Sequence, residues 1–393
     1  MKPIPYATQS INESDLAAVH DVLTSGWLTQ GPAGPRFEQA FAARHGVAHA
    51  VAVSNATAGL HIACLALGAG IGKTVWTSPI SFVASANCAL YCGADVDFVD
   101  IDPVTRNMSV AALTTQLEQA ERCGQLPAIV IPVHFAGLPC DLAPMRVLAD
   151  RYGFKLLEDA SHAVGASYEG QPIGSRFADA SVFSFHPVKI ITTGEGGMVT
   201  TQDAATARQL QRLRSHGITR TPDEMSLEGP IPGPWYYEQT ALGFNYRMTD
   251  IQSALGHSQL QRLEALHTAR ERLADRYDHL LANLPLKLPA RAPSANAQAR
   301  SAWHLYAIEV LAGDGVADRD VVFKRLWEAD IAVNVHYIPI HTQPFYRALG
   351  FQTGQFPAAE AYFASAISIP LFPTLPDEQQ DHVVAVLGQA LRA

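Results

Sequence analysis

The sequence has 393 residues, 48% of them hydrophobic and 17% charged, with a formal net charge of -9. That length predicts two domains with a sizeable core, and the balance of residue types excludes a disordered chain. The acidic charge, with no dense Lys/Arg stripe, argues against nucleic acid or an anionic membrane as the main partner, and no apolar run of about 18 residues is present to span a bilayer.

In chain order, residues 13–24 (ESDLAAVHDVLT) predict a helix with Leu16, Val19, Val22 and Leu23 along one face. The Gly/Pro-rich loop SGWLTQGPAGP follows, then a helix from Arg36 to His45. The segment HAVAV (49–53) predicts a short apolar strand that runs through Ser54-Asn55-Ala56-Thr57 into a helix over 58–67. Further strands are expected at 74–77, 96–99, 129–133, 154–157, 180–184 and 198–201, with helices over 82–92 and 142–152. Continuous apolar strands separated by helices predict an α/β fold with a mainly parallel sheet covered on both faces. From Thr249 to Leu284 the apolar positions read as one long helix, able to bridge two domains. PARAPSANAQA (289–299) reads as a surface loop. Beyond it, strands at 305–310 and 333–335 alternate with helices at 319–328, 355–366 and 376–391. The expected division is a large domain over 1–255, including the N-terminal segment, and a smaller α+β domain over 256–393.

Five cysteines (Cys64, Cys88, Cys92, Cys123 and Cys140) match no zinc spacing, so buried free thiols in a reducing compartment are expected, and no metal. The start, MKPIPYATQS, has no apolar signal core, so a cytoplasmic location is the expectation.

The stretch SFHPVKIITTGEGG (184–197) sets a single lysine, Lys189, among apolar and small residues. Burial disfavours the ammonium, and a neutral amine attacks carbonyls. The matching partner is an aldehyde cofactor, pyridoxal phosphate (PLP). Its ring nitrogen needs a carboxylate to stay protonated. Asp159 closes the strand FKLLED at its carboxyl end, where ligands of open α/β sheets bind. Alone it reads equally well as a helix N-cap; Lys189 thirty positions on favours the cofactor role. The phosphate needs N–H donors and hydroxyls at a helix N-terminus, which Ala56, Thr57 and Ser184 can supply. Phe82, after the strand VWTSP, is placed to stack on the ring, although a core role fits its context as well.

The blocks SNATAGLHIACLALG, PISFVASANCALYCGADVDFVDID, VIPVHFAGLPCD, LLEDASHAVGA, SFHPVKIITTGEGG and LGFNYRMTDIQSALG together resemble the DegT/DnrJ/EryC1/StrS family of sugar aminotransferases, over essentially the whole chain. The resemblance implies the type I PLP-dependent transferase fold of aspartate aminotransferase. It implies Lys189 as the lysine that bonds the cofactor's aldehyde, Asp159 as the pyridinium partner and Phe82 as the stacking aromatic, with Ala56, Thr57 and Ser184 around the phosphate. Asn245, in GFNYRM, matches an asparagine that reaches the phosphate of the neighbouring subunit, so a homodimer with shared sites is implied. Many family members carry Gln where this chain has His162; a histidine there can still hydrogen-bond the cofactor's phenolic oxygen.

The blocks IPYATQSI, WLTQGP, LRSHGITR, GPWYYEQ and VNVHYIPIHTQPFY further resemble members that aminate C4 of a UDP-linked 4-keto-6-deoxy-N-acetylhexosamine on the way to pseudaminic acid. By that resemblance Tyr6, Gly26, Trp27, Leu28, Thr29, Val335, His336, Tyr337 and Ile338 face the nucleotide-sugar, and L-glutamate is the expected amino donor. From the residues alone these segments fit ordinary loop packing as well. Enzymes making 4-amino-4-deoxy-L-arabinose or perosamine would share the same core. A non-catalytic binder of PLP or nucleotide-sugar would have no need to keep both Lys189 and Asp159.

Overall fold

A computed structural model describes residues 3–294 and 298–393; residues 1–2, and residues 295–297 inside the predicted loop 289–299, lie outside the described residues. Seven strands form the main sheet: β1 (His49–Val53), β2 (Thr74–Thr77), β3 (Asp95–Phe98), β4 (Ile129–Ile131), β5 (Lys155–Asp159), β6 (Ala180–Ser184) and β7 (Gly197–Thr201). Their spatial order is β1-β7-β6-β5-β4-β2-β3. Strands β3, β2, β4, β5 and β6 pair in parallel, and β7 alone runs antiparallel between β6 and β1. The mainly parallel α/β sheet expected from the sequence is therefore present.

The reason lies in the residues. β4 is apolar along its length and β1 is so after His49, while β6 and β7 join apolar residues to small hydroxyl residues that are buried with them, so the sheet is covered on both faces by two clusters. The helix Ala56–Ala66 after β1 lies close on the sheet because Gly59 has no side chain. A Cβ there would stand 2.9 Å from Val182 Cγ1 and 3.2 Å from Val199 Cγ2. That close approach fixes the depth of the helix N-terminus.

A second core gathers Leu273, Tyr277, Leu281, Trp303, Tyr306, Ile308, Ile331 and Leu387, together with Ile4 from the N-terminal segment. It packs on an antiparallel sheet of β8 (Leu286–Lys287), β9 (Tyr306–Val310) and β10 (Ala366–Ile369).

Several expected elements differ. The helix expected over 249–284 is two, Asp250–Gln261 and Leu263–Leu281, broken at Arg262 (φ -102°, ψ 4°). Arg262 is held there by the carbonyl of Ser10 and by Asp15 of the first helix, contacts that periodicity does not register. The strand expected at 333–335 shrinks to one bridge, Asn334 to Ser368. The chain that pairs with β9 is instead β10, whose first residue falls at the tail of the helix expected over 355–366 and observed at Pro357–Ser365. Two further helices, Val110–Cys123 and Ala204–Arg214, were not expected. Ser109 and Asp203 cap them, each accepting from a first-turn N–H. All five cysteines are free; Cys64, Cys88 and Cys140 are buried as expected, Cys92 is half-buried and Cys123 is exposed. Among the described residues, no helix is long and apolar enough to cross a membrane.

Candidate active site

The parallel strands deliver their carboxyl ends to one edge of the sheet, the place where open α/β sheets bind ligands. Ala56 and Thr57 follow β1, Phe82 follows β2, Asp159 ends β5, and Ser184 ends β6 just ahead of Lys189.

Asp159 is buried. Its backbone N–H donates to Pro132 O at 2.9 Å and its O accepts from His134 N at 3.2 Å, so the chain running on from β4 holds it on one side while β6 pairs with it through Val182 on the other. Its carboxylate accepts from Ser85 Oγ at 2.6 Å and from Ser161 N at 3.1 Å. Ser81 Oγ lies 2.6 Å from Ser85 Oγ. A hydroxyl has one proton, and that of Ser85 goes to Asp159, so Ser81 is the donor of this pair. The carboxylate is thereby aimed by two hydroxyls from the segment that leads into the helix Ala84–Tyr91.

Lys189 stands in the loop between β6 and β7, which folds back on itself through Phe185 N to Gly196 O (2.9 Å) and Thr193 N to Phe185 O (3.0 Å). Desolvation lowers its pKa to about 8, while the charge of Asp159 acts in the opposite direction. At pH 7 such an amine holds about 300-fold more of the neutral form than an ordinary lysine. Lys189 and Asp159 are thus near enough for their charges to act on each other.

Buried aromatic and imidazole side chains close the site. His162 Nε2 and Tyr337 OH share a hydrogen bond of 3.1 Å. The His162 ring lies 4.4 Å from that of His304, centre to centre. His304 Nε2 is 3.4 Å from Lys189 Nζ. His336 Nδ1 meets Ser368 Oγ at 2.8 Å, and the Tyr6 ring lies 5.6 Å from the His336 ring. Burial pushes His162 and His304 well below the usual histidine range and His336 to about 3, with the Lys189 charge adding to each. All three imidazoles are therefore neutral. Burial also raises the pKa of Tyr337, keeping its hydroxyl protonated.

The helix Ala56–Ala66 begins at the same edge. The Asn55 side chain accepts from Ala58 N at 2.8 Å, which leaves the N–H groups of Ala56 and Thr57 pointing outward. Gly197 faces them: a Cβ there would be 2.8 Å from Ala56 N. Ser184 is buried, and its Oγ accepts from His186 N at 3.4 Å. Phe82 precedes the helix Ala84–Tyr91 rather than starting it, is 60% exposed, and has its ring 6.4 Å from that of Tyr337.

The structure thus brings Lys189, Asp159, His162, Tyr6, Phe82, His336 and Tyr337 into one neighbourhood, with Val335 and Ile338 flanking the last two. It leaves Gly26, Trp27, Leu28, Thr29 and Asn245 exposed on the single chain. Leu28 O accepts from Asp250 N at 3.0 Å, and Asn245 bridges to Ser215, so neither is tied to the Lys189 group within the chain. Ser81, Ser85 and His304 were not expected; each lies far from Lys189 in sequence and carries no spacing signal.

The chain is similar to known proteins along nearly its whole length. The sequence pattern described as the DegT/DnrJ/EryC1/StrS aminotransferase family matches residues 9–388. The spore coat polysaccharide biosynthesis protein SpsC of Bacillus subtilis is 36% identical over 391 residues, covering 99% of this chain and 97% of its own. Among solved structures, Helicobacter pylori PseC, an aminotransferase of pseudaminic acid biosynthesis, superposes with a TM-score of 0.89 at 30% identity, covering 99% of both chains. A Streptococcus pneumoniae chain described as a sugar aminotransferase, Spr1654, matches in its PMP form with a TM-score of 0.89 at 30% identity over 98% of both chains. Its PLP form matches with a TM-score of 0.87 at 29% identity, covering 99% of this chain and 98% of its own.

Proposed function

For a chain that belongs to the DegT/DnrJ/EryC1/StrS aminotransferase family, and is thus a PLP-dependent sugar aminotransferase, we propose amination at C4 of a UDP-linked 4-keto-6-deoxy-N-acetylhexosamine. The product would be UDP-4-amino-4,6-dideoxy-N-acetyl-β-L-altrosamine, in pseudaminic acid biosynthesis. The amino donor in this reading is L-glutamate. The observation that carries the transamination is one amine of depressed basicity set against the carboxylate of Asp159 in a site lined by neutral imidazoles. The likeness to PseC over nearly the full length of both chains supports the choice of sugar.

The residues fit the cofactor. Asp159 offers an acceptor held by two donors, and the first turn of the helix Ala56–Ala66 offers free N–H groups under a glycine that leaves room above them. The buried Nδ1 of His162 has no partner among the described residues and is free for a ligand atom. When bound, PLP acts as an electron sink for the carbanion at the donor's α-carbon.

In this reading Lys189 Nζ would hold the cofactor through its aldehyde and, once free, would be the base that moves the proton at the donor's α-carbon. Asp159 keeps the ring nitrogen protonated. Ala56, Thr57 and Ser184 take the phosphate. Phe82 would stack on the ring, and His162 would hydrogen-bond the phenolic oxygen. Tyr6, Val335, His336, Tyr337 and Ile338 line the sugar side. In this reading the large domain is 1–255 and the small one 256–393, a boundary inside the helix Asp250–Gln261, and the free thiols support a cytoplasmic location.

A panel of 4-keto sugar nucleotides tests the substrate. Turnover is expected to be highest with the UDP-linked N-acetylhexosamine; preference for a 4-keto pentose or a GDP-sugar would replace this reading with the 4-amino-4-deoxy-L-arabinose or perosamine type.

The exposed Gly26–Thr29 loop and Asn245 support a homodimer in which each subunit completes its partner's site. Lys189→Ala and Asn245→Ala subunits, each impaired alone, are expected to regain about a quarter of wild-type activity when mixed equally, because half the dimers then hold one intact site of two. No gain on mixing would place Asn245 in its own subunit's site.

A further inference from the structure

From the contact of His304 Nε2 with Lys189 Nζ, we infer that His304 is the positioning residue of the catalytic amine: it accepts a hydrogen bond from Lys189 whenever that amine is not bonded to the cofactor, and holds it beside Asp159. The inference rests on Lys189 being the cofactor-bonding lysine and adds a residue to that site.

The direction of the hydrogen bond follows from the chemistry of the two groups. An ammonium has three donors and no acceptor. Below pH 8 Lys189 is mostly ammonium, so the imidazole must be the acceptor, with its proton on Nδ1. His304 remains neutral because burial, then the charge of Lys189, hold its pKa far down. The groups facing it are Lys189, His162, His336 and Arg270, with Asp159 beyond Lys189. None is an acid that would recharge it directly.

The backbone shows why His304 can serve as a fixed point. His304 N donates to Ala136 O at 2.9 Å, and Ala302 N donates to Gly137 O at 3.0 Å. Gly137 (φ 98°) is required there: a Cβ would lie 2.9 Å from Trp303 N and 3.1 Å from His304 N. From below, the fully buried Arg270 donates through Nη1 to Trp303 O (3.1 Å), His304 O (3.3 Å) and Leu371 O (3.0 Å). A buried cation is thus spent on three carbonyls of the segments that carry His304 and follow β10. These contacts fasten the backbone of the segment that carries the imidazole.

The function follows from the reaction. Lys189 is released when the donor amine takes its place, and its long side chain is then free to leave. An acceptor at 3.4 Å keeps Nζ near the carbon whose proton it moves.

Two measurements on cofactor-free protein test this. Lysine 13Cε labelling resolves Lys189 among only six lysines, and its pH titration reports its basicity. Removing a neutral acceptor destabilises the ammonium, so His304→Phe is expected to lower the Lys189 midpoint by roughly one to two units, and His304→Gln to recover most of that shift. An unchanged midpoint in a folded His304→Phe overturns the inference. Histidine 15N spectra of the wild type need no variant: Nε2 of His304 is expected unprotonated, and a proton found there overturns it equally. Neither readout involves PLP, so their failure is distinct from failure of the aminotransferase reading, which would appear as an absent cofactor absorbance band in the wild type.

Discussion

Lys189→Ala is expected to remove the visible absorbance of the bound cofactor and to reduce transamination by at least ~10³-fold, since both the covalent attachment and the proton carrier are lost. The fold should survive. Lys189 leaves β6 in a loop whose hydrogen bonds are made by Phe185, Thr192, Thr193 and Gly196, not by its side chain. Its amine touches His304 alone among hydrogen-bonding partners in the described residues. Among the described residues, no other lysine is placed to substitute. Lys155 is tied to Asp179 at the far end of β5, and Lys287 lies on β8 beside Glu309. The absorbance spectrum of the purified variant with added PLP, together with single-turnover kinetics, checks both parts. A variant that keeps the band, or turns over at a wild-type rate, would remove Lys189 from its role.

How much of this was legible in the sequence depended on whether a residue's surroundings were local. Lys189 announced itself because its apolar neighbours are adjacent in sequence, and the structure gives it the low basicity that such flanks imply. Asp159 was legible from the strand it ends, and Ala56 and Thr57 from the strand-to-helix junction that exposes their N–H groups. Ser85 and His304 were not. Their significance comes from facing Asp159 and Lys189 across 74 and 115 positions of chain, a pairing created by the sheet order and by the path of the second core. The break at Arg262 was hidden for the same reason: no Pro or Gly stands at the break itself, and the cause is a buried contact with Asp15 near the other end of the chain. β10 was hidden by its composition, since AISI continues the alanine-rich run of the preceding helix until it meets β9. The two capped helices at 110–123 and 204–214 do carry local signals, Ser109 with Gly124 and Asp203 with Thr206.

Asp159→Asn is expected to retain much of the cofactor and to lose about 10²–10³-fold in turnover, the scale of removing one preorganised electrostatic partner from a dry site. The amide keeps an oxygen for Ser85 Oγ or Ser161 N but holds no negative charge against a protonated ring nitrogen. Asp159→Ala should lose as much turnover and some stability besides. It strands the Ser81–Ser85 hydroxyl chain without its terminal acceptor, at about 1–3 kcal/mol for the unmet buried group. Comparing the two variants separates charge from packing: a shared loss of rate with unequal thermal midpoints assigns the catalytic part to the charge. A second consequence concerns Lys189. The Asp159 charge favours the ammonium form, so removing it should carry the Lys189 pKa below about 8 and move the acid limb of the donor half-reaction to lower pH. Normal turnover in both variants would end the electron-sink role of Asp159. An acid limb that stays in place would show that the two side chains do not sense each other.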